Sequence, residues 1–280
     1  MPPPFIATAP SDLMHWVAAL TERPVPLLRR TAHALEDFRD NEDAVDAHLM
    51  AQTLGTDPLF VLSLLQHVAQ LRPGHSGSHA ETVTEALVLL GITPFFRAFA
   101  APLPVAEQWL DAHAQALASL QALVTRAQRA ARLAMGMAVQ RQDHDATVIH
   151  QATLLHDLPQ MLLCLHAPDL AQGLRLDDDG PGEAETTAQR HDVLKVSQPA
   201  LRLALAQHWR LPGLLIQTCD PALAHLNQVR NVHLALQLAH LSRQGWGHAA
   251  LDEPLAATAH LLGLSAGQAL DLVMDLDLDS

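Results

Sequence analysis

Thr147-Val-Ile-His-Gln-Ala-Thr-Leu-Leu-His-Asp-Leu-Pro-Gln-Met-Leu-Leu-Cys-Leu165 is the stretch on which the reading of this chain turns. Val148, Ile149, Ala152 and Leu155 follow the i, i+1, i+4, i+7 spacing of a buried helix stripe. The stripe ends in a polar pair, His156-Asp157, just before Pro159. An imidazole beside a carboxylate where a helix enters a core must be hydrogen-bonded, bound to a metal or open to a cavity. Burying either group unpaired costs on the order of 1 to 3 kcal/mol or more.

The composition around this stretch is that of a helical protein. The chain has 280 residues, 49% of them hydrophobic, enough for the core of one large domain or two moderate ones. Ala and Leu dominate, Tyr is absent, and no run of β-branched residues alternates as a strand would, so an all-α fold is expected. Asp and Glu outnumber Lys and Arg by 30 to 17, a net charge of −13, which argues against a nucleic-acid partner because phosphate binding needs clustered cations. Cys164 and Cys219 are too few and too far apart for a CxxC element and read as free thiols in a reducing compartment, the cytoplasm. The N-terminal Met-Pro-Pro-Pro-Phe has no basic region, and no later stretch of about 18 residues is free of polar groups. Neither a signal peptide nor a membrane span is expected.

Taken in order, the chain reads as a succession of short helices. Ser11 is the expected cap of the first, with Leu13, Trp16, Val17 and Leu20 on one face. Pro24 and Pro26 force an extended segment before a second helix bearing Leu28, Ala32, Leu35 and Phe38, and Asn41 or Asp43 is expected to start a third that runs to Gly55. Thr56-Asp57-Pro58 caps a helix apolar on most sides, Thr82 and Glu85 form a capping box, and Thr93-Pro94 opens a further helix. A long Ala-rich helix is expected from about Ala112 to Arg141. Residues 177 to 189 read as an acidic exposed loop, and the last helix is capped by Ser265 with Gln268.

In this order the landmarks resemble the HDOD family, the HD-related output domains of bacterial signalling proteins, over roughly residues 12 to 250. They are Arg23-Pro-Val-Pro26, Thr56-Asp-Pro-Leu59 before an apolar helix, Glu85-Ala-Leu-Val-Leu-Leu-Gly91, Leu154-Leu-His-Asp-Leu158 and Trp209-Arg-Leu-Pro212. The resemblance implies an N-terminal helical subdomain, residues 1–110, packed on an HD-like helical core, residues 111–280. It also implies a role in signal transduction through a protein partner more than in catalysis. Catalytic HD phosphohydrolases, which the family resembles, hold a metal with a histidine on the preceding helix, the His-Asp pair and a later aspartate. The same resemblance puts Arg126 where that first histidine falls, Gln198 and then Cys219-Asp220 near later histidines, and His240 near the final aspartate. Guanidinium stays protonated and offers only donors, so an arginine repels a cation instead of binding it. Two ligands are short of the three or more that a working divalent site needs.

His156 and Asp157 are therefore expected to be a relic pair, with Arg126, Gln198, Asp220 and His240 as candidate pocket-lining residues. No catalytic residue, metal or cofactor is expected. The alternatives are a divergent metal-dependent phosphohydrolase acting on a nucleotide, and a sensor of a small anion or nucleotide. Other constellations carry less. His75 and His79 lie in a glycine-rich loop without partnering cysteines, and Gly74-His-Ser-Gly-Ser78 lacks the second glycine and the strand of a nucleophile elbow. His233 and His240 share a helix face, as chance allows in a chain with 18 histidines. Arg126, Arg129 and Arg132 form a short basic stripe whose default is a solvated face or pairing with acidic loops, with phosphate binding by Arg126 as the sharper alternative. No receiver, kinase or cyclic-nucleotide synthase region is recognisable, so any input is expected from a partner or a pocket ligand.

Overall fold

The computed structural model describes residues 4–71, 80–99, 103–174 and 191–278. The acidic segment 177–189 and the His75, His79 and Ser76 motifs lie outside the described residues. The helices are α1 (Leu13–Thr21), α2 (Arg29–Asp40), α3 (Ala47–Leu54), α4 (Pro58–Leu71), α5 (Val83–Leu90), α6 (Ile92–Ala98), α7 (Ala106–Trp109) and α8 (Ala114–Gln140). They continue with α9 (Ala146–Leu154), α10 (Leu158–His166), α11 (Pro168–Gly173), α12 (Gln198–His208), α13 (Gly213–Gln217), α14 (Asn227–Leu241), α15 (Asp252–Leu262) and α16 (Ala266–Leu278). Among the described residues the β-type pairing is one isolated parallel bridge, Leu27 with Val105, so the fold is all-α as expected.

The chain forms two compact units, Met1–Val124 with Asp157–Leu211, and Thr125–His156 with Pro212–Ser280. This grouping follows contact density and passes through α8 and through the His156-Asp157 peptide bond. The division expected from the resemblance cuts the chain once, after residue 110.

In the first unit, several helix starts are set by side-chain acceptors. Asp12, not Ser11, caps α1, because Asp12 is the last extended residue and its carboxylate accepts from His15 N at 3.1 Å. Trp16 is fully buried and its indole N–H donates to Leu194 O at 2.7 Å, where α1 packs on α12. The extended segment after Pro24 and Pro26 makes the bridge, with Leu27 N donating to Pro104 O and Ala106 N to Leu27 O, both at 2.8 Å. Asn41 and Asp43 do not start α3. They are spent on a tight turn, Val45 is extended, and Asp46 accepts from Leu49 N at 2.8 Å to cap the helix. The Thr82–Glu85 capping box forms, and Gly91 ends α5 at φ 81, a conformation a side chain disfavours. That turn leads directly into α6 at Ile92, one residue before the expected opening.

Asp57 fastens α4. It is fully buried and accepts from Leu59 N at 2.8 Å, Phe60 N at 3.3 Å and, across the bundle, Leu28 N at 3.1 Å. One carboxylate thus caps α4 and anchors the chain entering α2. Burial raises its pKa, against the pull of the hydrogen bonds from Thr31 and the three backbone amides.

The second unit holds the rest of α8, α9 and α13 to α16, with α14 packed on α9 and α15 and α15 on α16. Asn231 is fully buried on α14, and its side chain donates to Ala134 O of α8 at 3.2 Å. Ser265 and Gln268 cap α16 reciprocally, as the sequence predicts. Gly136 lets α16 come close to α8, since a Cβ there would collide with the Leu276 side chain.

Candidate functional site

The polar pair sits in the turn between α9 and α10. The helical bonding of α9 runs on to Leu155 N, which donates to Gln151 O at 3.1 Å, and tightens at His156 N, which donates to Thr153 O at 3.2 Å. Pro159 in the first turn of α10 needs no N–H there, so the chain can restart a helix at once. Asp157 is its N-cap residue, and its carbonyl accepts from Met161 N at 3.2 Å. The side chain of Asp157 is buried at 6% exposure and His156 is half-buried.

Each unit gathers its own polar set. In the second, the His156 ring lies edge-on to His233 with centroids 6.4 Å apart, and His233 Nε2 is 3.2 Å from Thr218 O. Arg126 stands on α8 at 8% exposure, and His240 is half-buried on α14. Asp220 is exposed and occupied locally, its Oδ1 accepting from Ala222 N at 2.9 Å to cap a turn. His150 on α9 has its pKa lowered to about 4 by burial and by the charge of Arg132, so it stays neutral. In the first unit, Gln198 at the start of α12 accepts from Gln160 Nε2 at 3.0 Å. Gln160 lies one turn beyond Asp157 on α10.

Sequence reasoning missed Gln160, whose place on the Asp157 side of a helix is legible only once α10 is known to start at Leu158. It also missed the partner of Arg129. The guanidinium of Arg129 is bonded by two nitrogens to the Asp277 carboxylate, donates to Ala239 O at 3.1 Å, and lies 5.7 Å from the centre of the Trp246 ring. The expected solvated face or acidic loop is replaced by a half-buried clamp on the last helix. The pKa of Asp277 is lowered, first by the Arg129 hydrogen bonds.

Among the described residues no three His, Cys, Asp or Glu side chains come together in a way that could hold an ion. An arginine stands where the resemblance puts the first ligand, and Asp220 is turned to a backbone amide. Among the described residues no helix is long and apolar enough to cross a membrane.

Comparison with known proteins agrees with this architecture. No curated protein matches the chain. Two crystal structures of the MmoQ response regulator from Methylococcus capsulatus str. Bath are similar to it. One has 20% identity and a TM-score of 0.68, covering 89% of this chain and 98% of that one. The other, a fragment, has 21% identity and a TM-score of 0.65, covering 86% and 92%. A virulence factor from Campylobacter jejuni subsp. jejuni is similar at 13% identity with a TM-score of 0.65, over 96% of this chain and 99% of that one. At these identities the likeness concerns the fold. The HDOD domain itself matches residues 25–225, most of the chain and every landmark from the Leu27 bridge to the His156-Asp157 turn, and this protein therefore belongs to the HDOD family.

Proposed function

We propose that this protein is a non-catalytic signalling module of the HDOD family that acts by contacting another protein, and that His156 and Asp157 are what remains of a metal site. The observation that carries this reading is the donor arithmetic: a buried arginine stands on α8, an aspartate caps its own turn, and among the described residues no three His, Cys, Asp or Glu side chains come together in a way that could hold an ion. Membership in a family of signalling output domains supports it, as does the likeness to a protein described as a response regulator. The subdomain division at residue 110 belongs to the same proposal, as does a pocket in the second unit lined by Arg126, Asp220 and His240. So does a reducing cytoplasm, which suits the free Cys164 and Cys219.

The test is chemical. Purified protein is analysed for bound iron, manganese and zinc, and assayed with nucleotide substrates in the presence of each metal, beside His156→Ala. The expected result is substoichiometric metal and equal background hydrolysis in both proteins. About one tightly held ion per chain, or hydrolysis that His156→Ala abolishes, would make the protein a divergent phosphohydrolase.

A further inference from the structure

The last helix of the second unit has two apolar faces, one buried and the other only partly covered. Ala269 and Val273 are fully buried, Leu276 closes over Gly136 of α8, and Asp277 is held by Arg129 and by Trp246 Nε1 at 3.1 Å. A second row runs along α16 at four-residue spacing: Leu270, Met274 and Leu278. The first two are half-buried and Leu278 is 78% exposed. Each member of this row is followed in sequence by an aspartate, as Leu270-Asp271, Met274-Asp275 and Leu278-Asp279. Four-residue spacing stacks like with like on a helix, so an apolar row runs beside the exposed acidic row of Asp271 and Asp275.

The acidic row does nothing for the helix that carries it, and the apolar row is only partly covered. Like charges at i, i+4 disfavour a helix. Asp275 also lies toward the C-terminal end, where the helix dipole opposes negative charge, and no basic residue offsets it in the last turn. Asp277 is compensated by Arg129, whereas no hydrogen bond or ion pair joins Asp271 or Asp275 to another described residue. A local preference broken without compensation inside the fold points to use outside it.

We propose that this face of α16 docks an amphipathic helix of a partner protein whose apolar stripe is flanked by Lys or Arg at the same four-residue spacing. Charge selects the occupant. A second copy would set the same aspartates against each other across two chains that each carry −13, and an anionic membrane would be repelled likewise. A cationic helix laid on this face matches both rows.

The proposal rests on the reading of the chain as a contact-making module and names its surface. It is tested by titrating the full-length protein into a labelled Leu/Lys amphipathic peptide of roughly 18 residues, beside a peptide of the same composition scrambled to break the stripe. The striped peptide is expected to bind about tenfold tighter than the scrambled one. Leu278→Ala, and separately Asp271→Asn with Asp275→Asn, are each expected to weaken it about tenfold without moving Tm, the second pair also flattening the salt dependence. Equal binding of the two peptides, or unchanged affinity in both variants, overturns the proposal. So does self-association abolished by Leu278→Ala, which would assign the face to a second copy. Metal content and hydrolysis are measured on the same preparation. Failure of peptide binding in metal-free, hydrolysis-inactive protein therefore removes this surface and leaves the functional reading standing.

Discussion

Asp57 and His166 are buried ionisable groups with opposite local solutions, and each sets a measurable pH dependence. Asp57 has three backbone amides on its carboxylate. Asp57→Ala orphans these donors and is expected to cost about 2 to 4 kcal/mol in urea unfolding at neutral pH, with Asp57→Asn costing less because it keeps an acceptor. Burial raises the Asp57 pKa above 3.8, so just above that pH the folded chain binds more protons than the unfolded one. Stability of the native protein relative to Asp57→Asn should therefore fall as pH rises through this window, and a difference that does not change with pH would contradict the raised pKa. His166 is fully buried at the end of α10, its ring edge-on to Trp109, and neither ring nitrogen has a hydrogen-bond partner among the described residues. Burial, aided by the charge of Arg23, lowers its pKa to about 3. Between that value and 6.5 the unfolded state holds the extra proton, so stability is present at neutral pH and is lost as pH falls. Each pH unit below 6.5 costs about 1.4 kcal/mol, so His166→Leu should spare the protein about 2 kcal/mol of acid destabilisation at pH 5. Parallel stability curves for the two proteins would show that the imidazole is solvated after all.

At the scale of elements, the informative contact is Gly136 against Leu276. Gly136→Ala gains about 1 kcal/mol of helix propensity within α8 but drives a methyl into a leucine side chain. Overpacking of this kind costs about 1 to 3 kcal/mol, so the substitution is expected to be net destabilising. In a Leu276→Ala background the collision is gone and the same substitution should become stabilising by about 1 kcal/mol, a reversal of sign that thermal unfolding of the four proteins reads directly. Helix limits show how far local chemistry reaches. The α5 capping box and the α16 cap were legible because each is made by residues three apart in the chain. Ser11 and Asn41 stand beside equally competent acceptors, and backbone geometry gives the caps to Asp12 and Asp46.

Across the whole molecule, charge and alphabet do most of the excluding. With a net charge of −13, duplex DNA at about 50 mM salt should show no mobility shift at protein concentrations up to roughly 100 μM, where cationic proteins already bind non-specifically. A shift that disappears with added salt would overturn this exclusion. The helical class, the apolar α4, the long α8 and the His156-Asp157 turn before Pro159 were determined by sequence alone, because periodicity, caps and proline act over a few residues. Packing across the helices brought Arg129 to Asp277, Gln198 to Gln160 and His156 to His233, and it left Asp220 spent on its own turn. Arg129 and Asp277 are 148 residues apart, and no spacing rule connects such partners. Side chains that meet across a core are chosen by how helices pack, which depends on every apolar face at once and is written in no single stretch of the chain.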